Sequence, residues 1–147
     1  MEASTYSPIE AVKSLYPMTK EKNRKFVLHL SSMNPDIEVY KWLSEKVPQQ
    51  INEVYNKKPY WTALHFAALG GDPVIIEKLA SAIDINIPDA DGNTPLHVAV
   101  KSGPITGVTA LLRLGADANK RNTFGVTAKD EADARADLQF RSVLERY

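Results

Sequence analysis

The residues best suited to chemistry in this chain are its three histidines: His29 in FVLHLSS, His65 in TALHFAALGG and His97 in TPLHVAVKSG. A histidine can ligate a metal, act as a general base or brace a fold, and one histidine in isolation is compatible with all three. A second candidate is the acidic run KDEADARAD at 129–137, where helical spacing sets Asp130, Asp133 and Asp137 on one face as a possible carboxylate pair. Lys129 and Arg135 interleave that run and no glycine-rich phosphate loop accompanies it, so it reads as a solvated, charge-rich face. There is no G-x-S-x-G elbow, no Walker motif, no H-E-x-x-H and no cysteine. Acyl transfer, nucleotide hydrolysis, zinc proteolysis and thiol chemistry therefore lack their minimal parts, and no catalytic residue, metal or cofactor is expected.

Composition narrows the partners. At 147 residues, with 44% apolar and 24% charged residues, the chain has the make-up of one globular unit rather than of a disordered segment. Basic and acidic residues number 18 each, so no net field draws it to phosphate backbones or anionic lipid, and no nucleic-acid partner is expected. The start MEASTYSPIEAV has neither a basic n-region nor an apolar h-region, and no apolar run approaches the ~18 residues of a membrane span. Without cysteine there is no sign of an oxidising compartment. The expectation is an intracellular protein, cytoplasmic foremost and nuclear next, without membrane insertion and monomeric on its own.

The elements that would position the histidines emerge from self-similarity. TALHFAALGG at 62–71 matches TPLHVAVKSG at 94–103 with a period of 32 residues. The same frame reaches Asp130 in GVTAKDEADA, a degenerate later copy, and His29 in an earlier one. All three histidines thus share one repeat position. Ten residues after it stand Val39, Ile75, Gly107 and Phe140, and fourteen after it Leu43, Leu79, Leu111 and Leu144.

Each copy reads as two short helices. In the best-formed one, Thr94 is a natural N-cap, Pro95 presets the first turn, and Leu96, Ala99 and Val100 form an apolar face. Gly103 is expected to end that helix in the left-handed conformation, and Pro104 to open a second one carrying Val108, Leu111 and Leu112. Gly71 with Pro73 repeats this punctuation, and Asn34 with Pro35 offers a comparable turn earlier. Ala67, Ala68 and Ala99 are small where stacked helices must approach closely. Before the repeats, Ser7-Pro8-Ile9-Glu10 is a capping box and Ile9, Val12 and Tyr16 form one stripe ended by Pro17. Thr19 can then cap a helix through Phe26, Val27 and Leu30.

This pattern resembles the ankyrin repeat family, whose unit of about 33 residues centres on T-P-L-H-x-A. LLRLGADANKRNTFGVT at 111–127 and DINIPDADGNTPLH at 84–97 are also similar to the family's G-A-D-x-N segment followed by D-x-x-G-x-T. The resemblance implies an all-α solenoid of stacked helix-turn-helix units with β-hairpin loops. An N-terminal capping helix at 1–19 would precede repeats at about 20–56, 57–88, 89–120 and 121–147. Equivalent residues of stacked repeats lie roughly 10 Å apart and cannot converge on a metal that needs bonds of about 2 Å. The resemblance instead makes the histidine a strut that bonds threonine and loop backbone, with Thr62 and His65, and Thr94 and His97, keeping the pair.

Partners of similar proteins dock on loop tips and on exposed positions of the first helices. Carried onto this chain, the tips contribute Lys58, Pro59 and Trp61, then Ala90, Asp91 and Asn93, then Thr123, Phe124 and Val126. The first helices contribute Met33 and Asn34, Leu69 and Gly70, Lys101 and Ser102, and Ala134 and Arg135. Met33, Tyr60, Trp61, Leu69, Asp91, Asn93, Lys101, Phe124 and Arg135 are the contacts expected to matter. One tip departs from the family: residues 57–62 read KKPYWT, with Tyr60 where glycine is expected, so it should not form an ordinary left-handed turn. Tyr60 and Trp61 either bind a partner or pack on the irregular first repeat. Met33 and Leu69 would make the N-terminal half of the surface apolar, and Asp91, Asn93, Lys101 and Arg135 the C-terminal half polar. The function expected is non-catalytic protein–protein recognition as a scaffold or adaptor that binds a protein or peptide. The alternatives are a regulatory or targeting segment of a larger enzyme or lipid-transfer protein, and a microbial effector that binds a host protein.

Overall fold

The computed structural model describes residues 8–18, 27–33, 36–55 and 57–147. Ser7, Thr19, Phe26, Asn34 and Pro35, named above as caps and turns, lie outside the described residues. The helices are α1 (Pro8–Leu15), α2 (Val27–Ser31), α3 (Ile37–Lys46), α4 (Ala63–Gly70), α5 (Pro73–Ala80), α6 (Pro95–Ser102), α7 (Ile105–Arg113), α8 (Ala128–Arg135) and α9 (Leu138–Leu144). Short 3-10 turns follow α1 at Tyr16–Met18 and α3 at Pro48–Asn52. No strand occurs among the described residues; the loop tips close through single backbone bonds and one antiparallel bridge, Val54 to Thr62.

The helix starts follow from side-chain caps. The Asp36, Asp72 and Asp137 carboxylates accept the free N–H groups of the first turns of α3, α5 and α9, and Thr94 and Thr127 do so for α6 and α8. Pro73 and Pro95 occupy first-turn positions, where a missing N–H costs nothing. Each α4, α6 and α8 lies beside the next, and α3, α5, α7 and α9 form the second row. Alanine permits that approach: Ala63, Ala67, Ala68, Ala99, Ala128 and Ala132 are all essentially inaccessible. Leu43, Leu79, Leu111 and Leu144 line the second row, each buried, in one core that extends from Leu28 to Leu144. Ile9 and Val12 of α1, and Tyr16 of the turn that follows it, pack against it.

Two glycine positions carry different physics. Gly71 ends α4 in the left-handed region at φ 77°, its N–H bonded to Ala67 O at 2.8 Å. Gly103, expected to do the same, is extended instead, at φ −91° and ψ 176°. Its glycine answers to a neighbour, because a Cβ there would lie 2.7 Å from the carbonyl oxygen of Ala68 in the preceding copy. Pro104 then stands one place before α7 rather than within it.

The irregular tip also corrects its sequence reading. Tyr60 does adopt a left-handed backbone, at φ 61°, matching Gly92 and Gly125 at φ 76° in the two later tips. All three tips share one closure: Tyr60 N to Lys57 O at 2.8 Å, Gly92 N to Asp89 O at 3.0 Å and Gly125 N to Asn122 O at 3.0 Å. The closure and the bond from Tyr55 N to Trp61 O, at 2.7 Å, impose the conformation on a side chain that disfavours it by about 1–2 kcal/mol.

Candidate functional site

The histidines sit at the junction between helix and tip. Thr62 N donates to His65 Nδ1 at 3.2 Å, and His65 Nε2 lies 3.0 Å from Asn93 O in the following tip. Thr94 N donates to His97 Nδ1 at 3.2 Å, and His97 Nε2 lies 3.0 Å from Val126 O. An Nδ1 that accepts an amide N–H is unprotonated, so Nε2 carries the proton and donates to the carbonyl. Each ring therefore joins its own cap to the next tip. His29 Nε2 meets Glu53 O at 2.7 Å rather than Trp61 O, the counterpart of Asn93 O, which accepts Tyr55 N.

Burial lowers the pKa of both His65 and His29; the carbonyls of Asn93 and Glu53 and the nearby charges of Asp89 and Glu53 oppose it in turn. Asp130 keeps the capping half of the arrangement, accepting Thr127 N and Oγ1 at 2.8 Å each. Those bonds hold its carboxyl below the ordinary carboxylate value. A carboxylate has no N–H to give, so Asp130 cannot make the histidine's second bond.

The acidic run is dispersed by the fold. Helix α8 ends at Arg135 with Ala136 left-handed, so Asp137 does not share its face and caps α9 instead, while Asp133 pairs with Arg141 Nε at 2.7 Å. No group of three or more metal-ligating side chains gathers among the described residues.

A groove of about 220 Å³ opens between two tips and the face of α6, lined by Pro59, Trp61, Asp89, Asp91, Asn93, His97, Val98, Lys101 and Ser102. It brings Trp61 together with Asp91, Asn93 and Lys101. Met33, Tyr60, Leu69, Phe124 and Arg135 are not among its lining residues. Met33 is exposed at the end of α2, where its backbone abuts Gly70 beside Leu69. Tyr60 and Phe124 stand exposed on their tips, Phe124 at 74%. Arg135 is tied down: Nη1 donates to Val100 O at 2.8 Å, and the guanidinium lies 3.9 Å over the Phe140 ring.

Bonds between tips fix the groove wall. Trp61 Nε1 donates to Asp89 Oδ2 at 2.9 Å, and Ala90 N donates to Pro59 O at 2.9 Å. Asp89 Oδ1 accepts Asp91 N and Asn93 N at 2.9 Å each. At the next junction Asn122 Nδ2 donates to Asn93 Oδ1 at 2.9 Å, while Asn122 Oδ1 accepts Phe124 N and Val126 N. Trp61 also stacks on His65, with centroids 6.1 Å apart, and meets Phe66 edge-on at 5.2 Å. The half-buried indole is thus both packed and part of the groove. Asp89 and Val98 are lining residues that the sequence reading passed over. The signal for Asp89 was its place at the head of D-x-x-G-x-T; Val98 follows the repeat histidine, where Phe66 stands one copy earlier.

Comparison with known proteins adds to this geometry. A family model described as ankyrin repeats, in three copies, matches residues 28–122. The chain is 39% identical over 84 residues to protein phosphatase 1 regulatory subunit 12A of Mus musculus, covering 56% of this chain and 8% of that protein. It is 35% identical over 82 residues to an ADP-ribosylation factor GTPase-activating protein of Arabidopsis thaliana, covering 55% of this chain and 11% of that one. Identity to ankyrin repeat domain-containing protein 13B of Homo sapiens is 37% over 71 residues, covering 48% and 11%. The chain thus spans about a tenth of the length of these relatives. With the histidine bridge recurring from cap to following tip, and the family model matching most of the chain, the protein belongs to the ankyrin repeat family.

Proposed function

We propose that this chain is a non-catalytic recognition module that holds a peptide segment of a partner protein in the groove between the tips at 57–61 and 89–93. Ankyrin repeats generally mediate protein–protein interaction and are generally non-catalytic. The observation that carries the placement is the groove itself, which gathers an aromatic ring, two carboxylates and an ammonium on walls braced by bonds between tips. A wall already ordered loses little conformational entropy when a partner docks. Met33 and Leu69 extend this surface along the first helices, and Tyr60 and Phe124 extend it at the tips. No helix among the described residues is long and apolar enough to cross a membrane.

The test is affinity purification with the wild-type chain and with Trp61→Ala and Leu69→Asp, each checked for native circular dichroism. Loss of the recovered partner from the folded variants is the expected result; undiminished recovery by both would overturn the placement.

A second reading, that the module regulates a longer protein, is favoured by the relatives' names: a phosphatase regulatory subunit and a GTPase-activating protein. An antibody to residues 89–120 that detects a native band no larger than this chain would refute it.

A further inference from the structure

The groove's lining is specific in its chemistry. Asp89 is nearly covered and is held by three donors: Asp91 N and Asn93 N on Oδ1, and Trp61 Nε1 on Oδ2. Its carboxylate is thus oriented within the groove wall. Asp91 is exposed, and its carboxylate has no hydrogen bond or ion pair among the described residues. Lys101, on α6, is the groove's cation and is likewise unpaired among them. Pro59, Trp61 and Val98 supply apolar wall between these charges.

We propose that the groove selects a partner segment presenting an arginine, whose guanidinium rests by the Trp61 indole and forks onto the Asp91 carboxylate. This rests on the placement of binding in that groove. A guanidinium is planar, stacks flat on aromatic faces and pairs with a carboxylate through two parallel N–H groups; a lysine ammonium can approach a ring as a compact, strongly hydrated point charge but has neither the plane nor the fork. The arginine stem is apolar and matches Pro59 and Val98. Both carboxylates stand on the tip side and the ammonium on the helix side, so the cation is directed to the tips. Lys101 repels a second basic residue and favours an acidic neighbour in the same segment.

The test uses random heptapeptides displayed on phage and selected on the wild-type chain, followed by fluorescence anisotropy with synthetic copies. Each copy is measured against wild type, Asp91→Asn and Ser102→Arg, the last an exposed position where a long side chain obstructs the groove. Each is also remade with citrulline, the neutral isostere, in place of arginine. The expected result is a shared arginine, with affinity falling about tenfold or more for citrulline and for Asp91→Asn, and abolished by Ser102→Arg. Peptides that lose binding on Ser102→Arg but tolerate citrulline and Asp91→Asn would leave the groove as the binding site and overturn the arginine assignment. Peptides indifferent to Ser102→Arg, or a selection that yields none, would overturn the groove placement and the arginine with it. Unchanged circular dichroism melts for both variants ensure that a lost affinity reports the groove.

Discussion

The ring of His65 reaches across a repeat boundary to the carbonyl oxygen of Asn93, 3.0 Å from Nε2, while Nδ1 holds the amide of Thr62 in its own copy. Both partners are backbone groups, and Thr62 is 2% exposed. Replacing the ring with an apolar side chain strands the buried Thr62 N–H and leaves Asn93 O with Asp89 N alone. His65→Leu is expected to destabilise the chain by about 2–4 kcal/mol in urea unfolding. A loss below about 0.5 kcal/mol would show that water replaces the bridge.

The same bridge makes stability depend on pH. His65 and His29 have pKa values lowered by burial from the usual 6.5, so the unfolded chain takes up protons first. Stability present above that value is lost as pH falls through it, and the loss levels off once the folded rings protonate. Asp130, whose carboxyl is held down by Thr127, acts in a lower window: its contribution is complete above the unfolded value of 3.8 and is lost as pH falls from there through the folded one. A melting temperature that declines between about pH 7 and 5, with a smaller decline in His65→Gln, is the expected result. Melts that coincide at pH 7 and pH 5 would exclude the histidine contribution.

Gly103 separates steric demand from conformational demand, because its backbone is extended and any residue could adopt it. A methyl group at this position meets the Ala68 carbonyl oxygen at 2.7 Å. Gly103→Ala should therefore cost about 1–3 kcal/mol through overpacking at the contact between α4 and α6. A melting temperature at or above wild type would show that the two helices separate freely.

Ala136 offers the opposite case. It ends α8 in the left-handed region at φ 55° and its side chain is exposed, so nothing but backbone strain is at stake. Ala136→Gly is expected to raise stability by about 1 kcal/mol, read as a higher urea midpoint with an unchanged slope. A lower midpoint would mean that the entropy of glycine in the unfolded chain outweighs the strain.

Along the chain, the pattern of the repeat was informative. The shared position of His29, His65 and His97 and the alignment of Leu43, Leu79, Leu111 and Leu144 located the helices and the core, because both depend on contacts that recur with the period. What crosses from one copy to the next was harder to read. Gly103 looked like a helix terminator because the residue across from it, Ala68, is 35 positions away. Asp89 was invisible as a partner of Trp61 for the same reason. Tyr60 violated its own backbone preference, since the turn is set by the Lys57 and Tyr55 closures rather than by the residue at its crest. At the groove, residue types suggested aromatic and charged contacts, but only the bonds between tips show which of them share a wall.

The two junctions between tips run in opposite senses: Trp61 donates a hydrogen bond to Asp89, whereas Asn93 accepts one from Asn122. Copying the unit that begins at Asp89 would set an Asn93 amide against a second Asp89 carboxylate, a match of donor and acceptor. Excising it would set the Trp61 N–H against the Asn122 amide, whose oxygen is already held by Phe124 N and Val126 N, so two donors would collide. In hydrogen-bond polarity, then, this unit can be duplicated without a clash at the new junction and cannot be removed without one.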